Sequence, residues 1–92
     1  MLTAQKRDPH QEVEQQKRET LNAFIGEQVI RTLGKPVDLF KVQVRPLWDN
    51  CHRANVFVGK DAAAVTVTNS YFLRVDGGGI IVESNPKITK QY

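Results

Sequence analysis

The sequence predicts an α+β domain, one long N-terminal helix packed on a four-stranded antiparallel meander sheet. Three observations carry that expectation. Apolar residues keep helical spacing from Leu21 to Leu33, and Gly34 and Pro36 cut the pattern off. Beyond Pro36 the period falls to two, with valines at alternate positions in successive segments. The Asp76-Gly77-Gly78-Gly79 reversal then joins two strand-like runs by a connection too short for a parallel crossover.

The helix begins at Pro9, where a missing amide costs nothing, behind Asp8, whose carboxylate suits an N-cap. Gln11 stands where it can close a capping box. Val13, Leu21, Phe24, Ile25, Val29, Ile30 and Leu33 mark the apolar stripe. At about 1.5 Å per residue, Pro9 to Leu33 spans nearly 40 Å. The first turns hold one apolar residue, Val13, so that half projects into solvent or against a second copy of the chain. Residues 1–8 are expected to be a flexible N-terminus ahead of a single domain at 9–92.

Each strand follows from alternation. Phe40, Val42 and Val44 alternate with Lys41, Gln43 and Arg45, and Ala54, Val56 and Val58 with Arg53, Asn55 and Phe57. Val65 and Val67 alternate with Thr66 and Thr68 in a third run that continues to Val75. Ile80 to Ser84 returns as the fourth strand, and Asn85 to Tyr92 trails off as an edge or tail. The expected core is Leu21, Phe24, Ile25 and Leu33 against the inward valines.

This element order resembles the cystatin and monellin type of architecture, in which a curved four-stranded sheet grips a long N-terminal helix. Cystatins inhibit cysteine proteases through a Q-x-V-x-G hairpin and a later Pro-Trp hairpin. Here Asn55-Val56-Phe57-Val58-Gly59 has asparagine at the glutamine position and lies at the end of the second strand. Pro46-Leu47-Trp48 precedes it instead of following. The resemblance is therefore one of architecture, and the inhibitory function is not carried over.

Composition narrows the function classes. A chain of 92 residues buries roughly 60% of its unfolded surface, enough for one modest core. The net charge of +3 is a mild bias toward anionic partners, since acidic and basic residues are interspersed. No apolar run approaches the ~20 residues of a membrane helix, and the first residues lack the apolar stretch of a secretory signal. A cytoplasmic protein with no membrane partner is expected. The single cysteine, Cys51, forbids an intramolecular disulfide and a multi-cysteine metal knuckle.

The chemically richest segment is Arg45-Pro46-Leu47-Trp48-Asp49-Asn50-Cys51-His52-Arg53. Proline and an Asp-Asn pair suit a turn between strands. Neighbours in a strand point to opposite faces, so Cys51 and His52 cannot form a thiolate–imidazole pair. Asp49, Cys51 and His52 are contiguous and do not converge as metal ligands. Trp48 is expected to pack over the edge of the core. Carboxylates are scattered singly at Asp38, Asp49, Asp61, Asp76 and Glu83, and Gly59 to Ala64 lacks the phosphate-loop pattern. No catalytic, cofactor-binding or metal-ligating residue is assigned, no cofactor is expected, and the chain reads as a non-enzyme.

The face opposite the helix carries Lys41, Gln43, Arg45, Arg53, Asn55, Phe57, Thr66, Thr68, Ser70, Phe72 and Arg74 if the alternation is unbroken. A bulge near Asn69 would turn Tyr71, Leu73 and Val75 outward instead. Lys41, Arg45, Arg53, Phe57, Phe72 and Arg74 form the candidate binding face. The leading expectation is a small binding or interaction protein that self-associates as a homo-oligomer or takes an unidentified protein partner. The alternative is a nucleic-acid-binding module, with cations on phosphates and rings under bases. A third reading is a ligand carrier or enzyme with a pocket between helix and sheet, rimmed by Trp48 and His52.

Overall fold

The computed structural model describes the backbone of residues 9–92 and the side chains of residues 15–92. Asp8, the Gln11 capping contact and the expected flexible segment 1–8 lie outside the described residues. Helix α1 (Pro9–Leu33) is followed by β1 (Leu39–Pro46), β2 (Cys51–Val58), a short 3₁₀ turn (Ala62–Ala64), β3 (Thr66–Val75) and β4 (Ile81–Asn85). The strands pair antiparallel in the order β1-β2-β3-β4. The fold is thus α+β, a helix on a four-stranded meander.

Helical periodicity places Ile25, Val29 and Leu33 on one line down α1, and all three are fully buried. They form the core with Ala54 and Val56 of β2 and Tyr71, Leu73 and Val75 of β3. Each large side chain among them contributes about 1.5–3 kcal/mol by leaving water. Gln15 to Thr20 are all exposed, as the scarcity of apolar residues there dictates. Phe24, expected in the core, is 36% exposed instead. It stands one residue before Ile25, about 100° around the helix, and abuts the β3–β4 turn at Gly79.

The third strand breaks its alternation. Val56 pairs with Asn69 but Phe57 pairs with Val67, leaving Thr68 as an extra residue. The bulge reverses the residues before it, not those after it. Val67, expected inward, shares the outer face with Phe57 and is 49% exposed. Tyr71, Leu73 and Val75 stay inside because their partners, such as Ala54 for Tyr71 and His52 for Leu73, are themselves buried. Thr66 and Thr68 leave the expected outer set: Thr66 pairs with Val58, and the Thr68 hydroxyl lies 3.3 Å from that of Tyr92.

Residues 86–92, expected to trail off, fold back onto the body. Ile88 is buried in the core and its amide donates to Ser84 Oγ at 3.1 Å. The amides of Gln91 and Tyr92 donate to the carbonyl of Leu33 at 2.7 and 3.1 Å. A helix end leaves such carbonyls without partners, and this segment supplies the donors. Gly34, at φ +95°, closes the same end by donating its amide to Ile30 at 2.8 Å.

At the β4 edge of the sheet, Gln28 of α1 holds the entry to β4. Its Nε2 donates to the Gly79 carbonyl at 2.7 Å, and its Oε1 accepts from the Ile81 amide at 3.0 Å. Asp76 Oδ1 accepts from the amides of Gly78 and Ile80, both at 2.9 Å, which fixes the turn. Gln28→Met keeps the volume but orphans two backbone groups. Urea denaturation of that variant is expected to show a loss of about 1–3 kcal/mol; an unchanged midpoint would mean the clamp contributes nothing.

Candidate binding face

β2 sets the two faces of the sheet. His52, Ala54 and Val56 are buried on the helix side, so Arg53, Asn55 and Phe57 point away from it. The register carries this outward set across the neighbouring strands. Arg45 stands opposite Arg53, Arg53 opposite Phe72, and Phe72 opposite Asn85. The next row is Gln43, Asn55 and Ser70, and the row beyond it Lys41, Phe57 and Val67. Arg74 lies between Cys51 and Glu83 at the other end. Lys41, Arg45, Arg53, Phe57, Phe72 and Arg74 therefore share one surface.

Their charges are unequally satisfied. Arg74 Nε donates to Glu83 Oε1 at 2.9 Å, with both side chains more than half exposed; such a pair contributes less than about 1 kcal/mol. Lys41 Nζ sits 5.4 Å from the centre of the Phe57 ring, a cation–π contact. Arg53 donates to Ser70 Oγ at 3.4 Å, and Ser70 Oγ donates in turn to Asn55 Oδ1 at 2.6 Å. No carboxylate among the described residues pairs with Arg45 or Arg53, the two cations that face each other across the strands. Directly opposed like charges destabilise a sheet.

Trp48 does not pack over the core edge. Asp49 takes a left-handed conformation, φ +46°, in the β1–β2 connection, and the Trp48 ring lies against Phe72 on the outer face. The ring centres are 5.8 Å apart with planes tilted by 43°, and Trp48 is 61% exposed. His52 points the other way and is only 4% exposed. The expected pocket rim of Trp48 and His52 is thus split between opposite faces. Cys51, paired with Arg74, and His52, paired with Leu73, are likewise separated by the sheet, so no thiolate–imidazole pair forms. Among the described residues no group of three or more His, Cys, Asp or Glu side chains converges to hold a metal ion. No helix among them is long and apolar enough to cross a membrane.

His52 is the one buried polar residue among those described, and its Nδ1 has no hydrogen-bond partner. Burial pushes its pKa below the ordinary 6.5, against a smaller opposing pull from the Asn50 backbone. The folded state therefore binds a proton less readily than the unfolded chain. Stability conferred by the neutral ring is complete above pH 6.5 and declines as pH falls through 6.5 toward the folded pKa. The slope from this one group cannot exceed about 1.4 kcal/mol per pH unit. Comparing the melting temperature of the wild type with His52→Leu between about pH 7 and 5 is expected to show a shallower fall in the variant; parallel curves would exclude His52 as the source.

Comparisons with protein-family models, with curated proteins and with solved structures return no match for this chain.

Proposed function

We propose that this chain is a non-enzymatic binding module whose open sheet face takes single-stranded nucleic acid. The observation that carries the reading is the Arg45–Arg53 pair, two opposed cations without a carboxylate, beside the exposed Trp48 on Phe72. A strand of phosphates relieves the repulsion between the cations. The rings offer unpaired bases a stacking surface worth about 1–3 kcal/mol per base. Duplex nucleic acid has its bases already stacked and gains only the electrostatic part.

The same pair weighs against self-association through this face. A two-fold dimer brings identical patches together, and here that would set Lys41, Arg45 and Arg53 against themselves. A homo-oligomer fits better at another surface.

Trp48 is the only tryptophan in the chain, so its fluorescence reports directly from the face. Titration with a short oligothymidylate is expected to quench it to saturation, with a weaker response to duplex of the same length. An emission spectrum untouched by either would overturn the proposal. A second expectation concerns the free protein. Arg45→Glu turns a like-charge pair into an opposite-charge one and should stabilise the fold by about 0.2–1 kcal/mol, an effect that shrinks with added salt. Thermal melting at low and high salt checks it; a destabilised variant would mean the arginines are not in repulsion.

A further inference from the structure

β1 is an outer strand of the sheet, so one side of its backbone is unpaired. Which groups face outward follows from the alternation of an antiparallel ladder. The Leu47 amide donates to the Cys51 carbonyl at 2.9 Å, so Arg45, Gln43 and Lys41 bond to β2 at two-residue steps. Val42 and Val44 are left with their amides and carbonyls at the free edge. Pro46 is next in that series and has no amide to offer.

Beside this edge runs a groove of about 510 Å³ between α1 and β1, whose lining combines Ala23, Ile30, Leu39 and Val42 with the charged Glu27, Arg31 and Lys35. Gly26 brings the two elements close, since a Cβ there would already touch Val42 at 3.6 Å. The carbonyl oxygen of the Asn22 side chain is buried there without a hydrogen-bond partner. On the opposite side of the same edge stand the cations of Lys41 and Arg45. A strand added to β1 would send alternate side chains into the groove and the others beside those cations.

We infer that the β1 edge receives an extended peptide in which apolar residues alternate with acidic ones, added as a further strand of the sheet. Charge selects this occupant over a second copy of the chain. In an antiparallel pairing of two β1 strands about Gln43, Lys41 of each copy would stand opposite Arg45 of the other, a repulsive arrangement. Other registers run into the irregularity between Leu39 and Lys41 or into Pro46. Acidic residues at those positions turn both repulsions into attractions.

The test uses a short blocked peptide of alternating valine and glutamate, with its valine–lysine counterpart as control, read by hydrogen exchange of the Val42 and Val44 amides. The glutamate peptide is expected to slow exchange at both, with a preference over the lysine peptide of about ten-fold from two charge reversals. In Lys41→Glu/Arg45→Glu, shown folded by its melting transition, the preference should invert. Exchange unaffected by the peptide, or slowed equally by both peptides, would overturn the inference. So would protection that rises with protein concentration alone, the mark of a second copy. Trp48→Ala separates this site from the sheet face: its ring lies against Phe72 of β3, and its loss should weaken oligonucleotide binding while leaving peptide protection unchanged.

Discussion

Gly34→Val is expected to be the most damaging single substitution at an exposed or half-exposed position, lowering stability by about 2–5 kcal/mol. A left-handed conformation costs an ordinary residue roughly 1–2 kcal/mol, and more for a β-branched one. At φ +95° Gly34 has no alternative that keeps its amide on the Ile30 carbonyl. A Cβ would also run into the Tyr92 carbonyl group, 2.8 Å from its carbon. Relief requires residues 91 and 92 to leave the helix end, releasing two hydrogen bonds worth roughly 0.5–1.5 kcal/mol each. In a domain this small, 1 kcal/mol shifts the midpoint by about 4–8 °C, so melting more than about 10 °C lower is expected. Gly77→Ala is the control, because a Cβ there meets nothing within 4 Å. Equal melting temperatures for the two variants would show that the docked segment does not support the helix end.

Reversing both opposed arginines, Arg45→Glu with Arg53→Glu, should lower affinity for single-stranded oligonucleotide by about 100-fold or more at low salt. Each lost hydrogen bond to a charged group contributes about 1.5–3 kcal/mol, and each new carboxylate repels phosphate. The fold itself should hardly notice. One like-charge pair replaces another, and Arg45 is exposed while Arg53 is half-buried with one long contact to Ser70. The salt response separates electrostatic binding from indirect damage. Three phosphate contacts through Lys41, Arg45 and Arg53 give a slope of log K against log salt near −2 for a single strand, and losing two of them brings it to about −0.7 or flatter. A reversed variant that keeps wild-type affinity and slope would remove the arginines from the interface.

Much of the framework is legible in the sequence, for reasons tied to particular residues. Gly34 and Pro36 end the helix because one accepts and the other forces a backbone that a helix cannot continue. Val42, Val44, Ala54 and Val56 declare the helix-facing side by period alone. The Thr68 bulge is different: valine and threonine suit either face of a strand, so Val67 changes sides without a local signal. Ile88 is a lone apolar residue in a polar stretch, and only the assembled core makes a place for it. The cations on the outer face follow from alternation. That Arg45 and Arg53 stand opposite each other follows from the register, which the length and backbone of the Leu47 to Asn50 connection set. Trp48 belongs to that connection, and the turn, not the strand period, determines which face its ring covers.

The most direct test of the open sheet face as the binding surface is an amide chemical-shift map of the protein titrated with oligothymidylate. Shifts should concentrate at Lys41, Arg45, Arg53, Phe57 and Phe72, with the Trp48 indole moving alongside them and the exposed helical stretch from Gln15 to Thr20 unperturbed. Shifts gathered on α1 instead, or none at all at low salt, would contradict it.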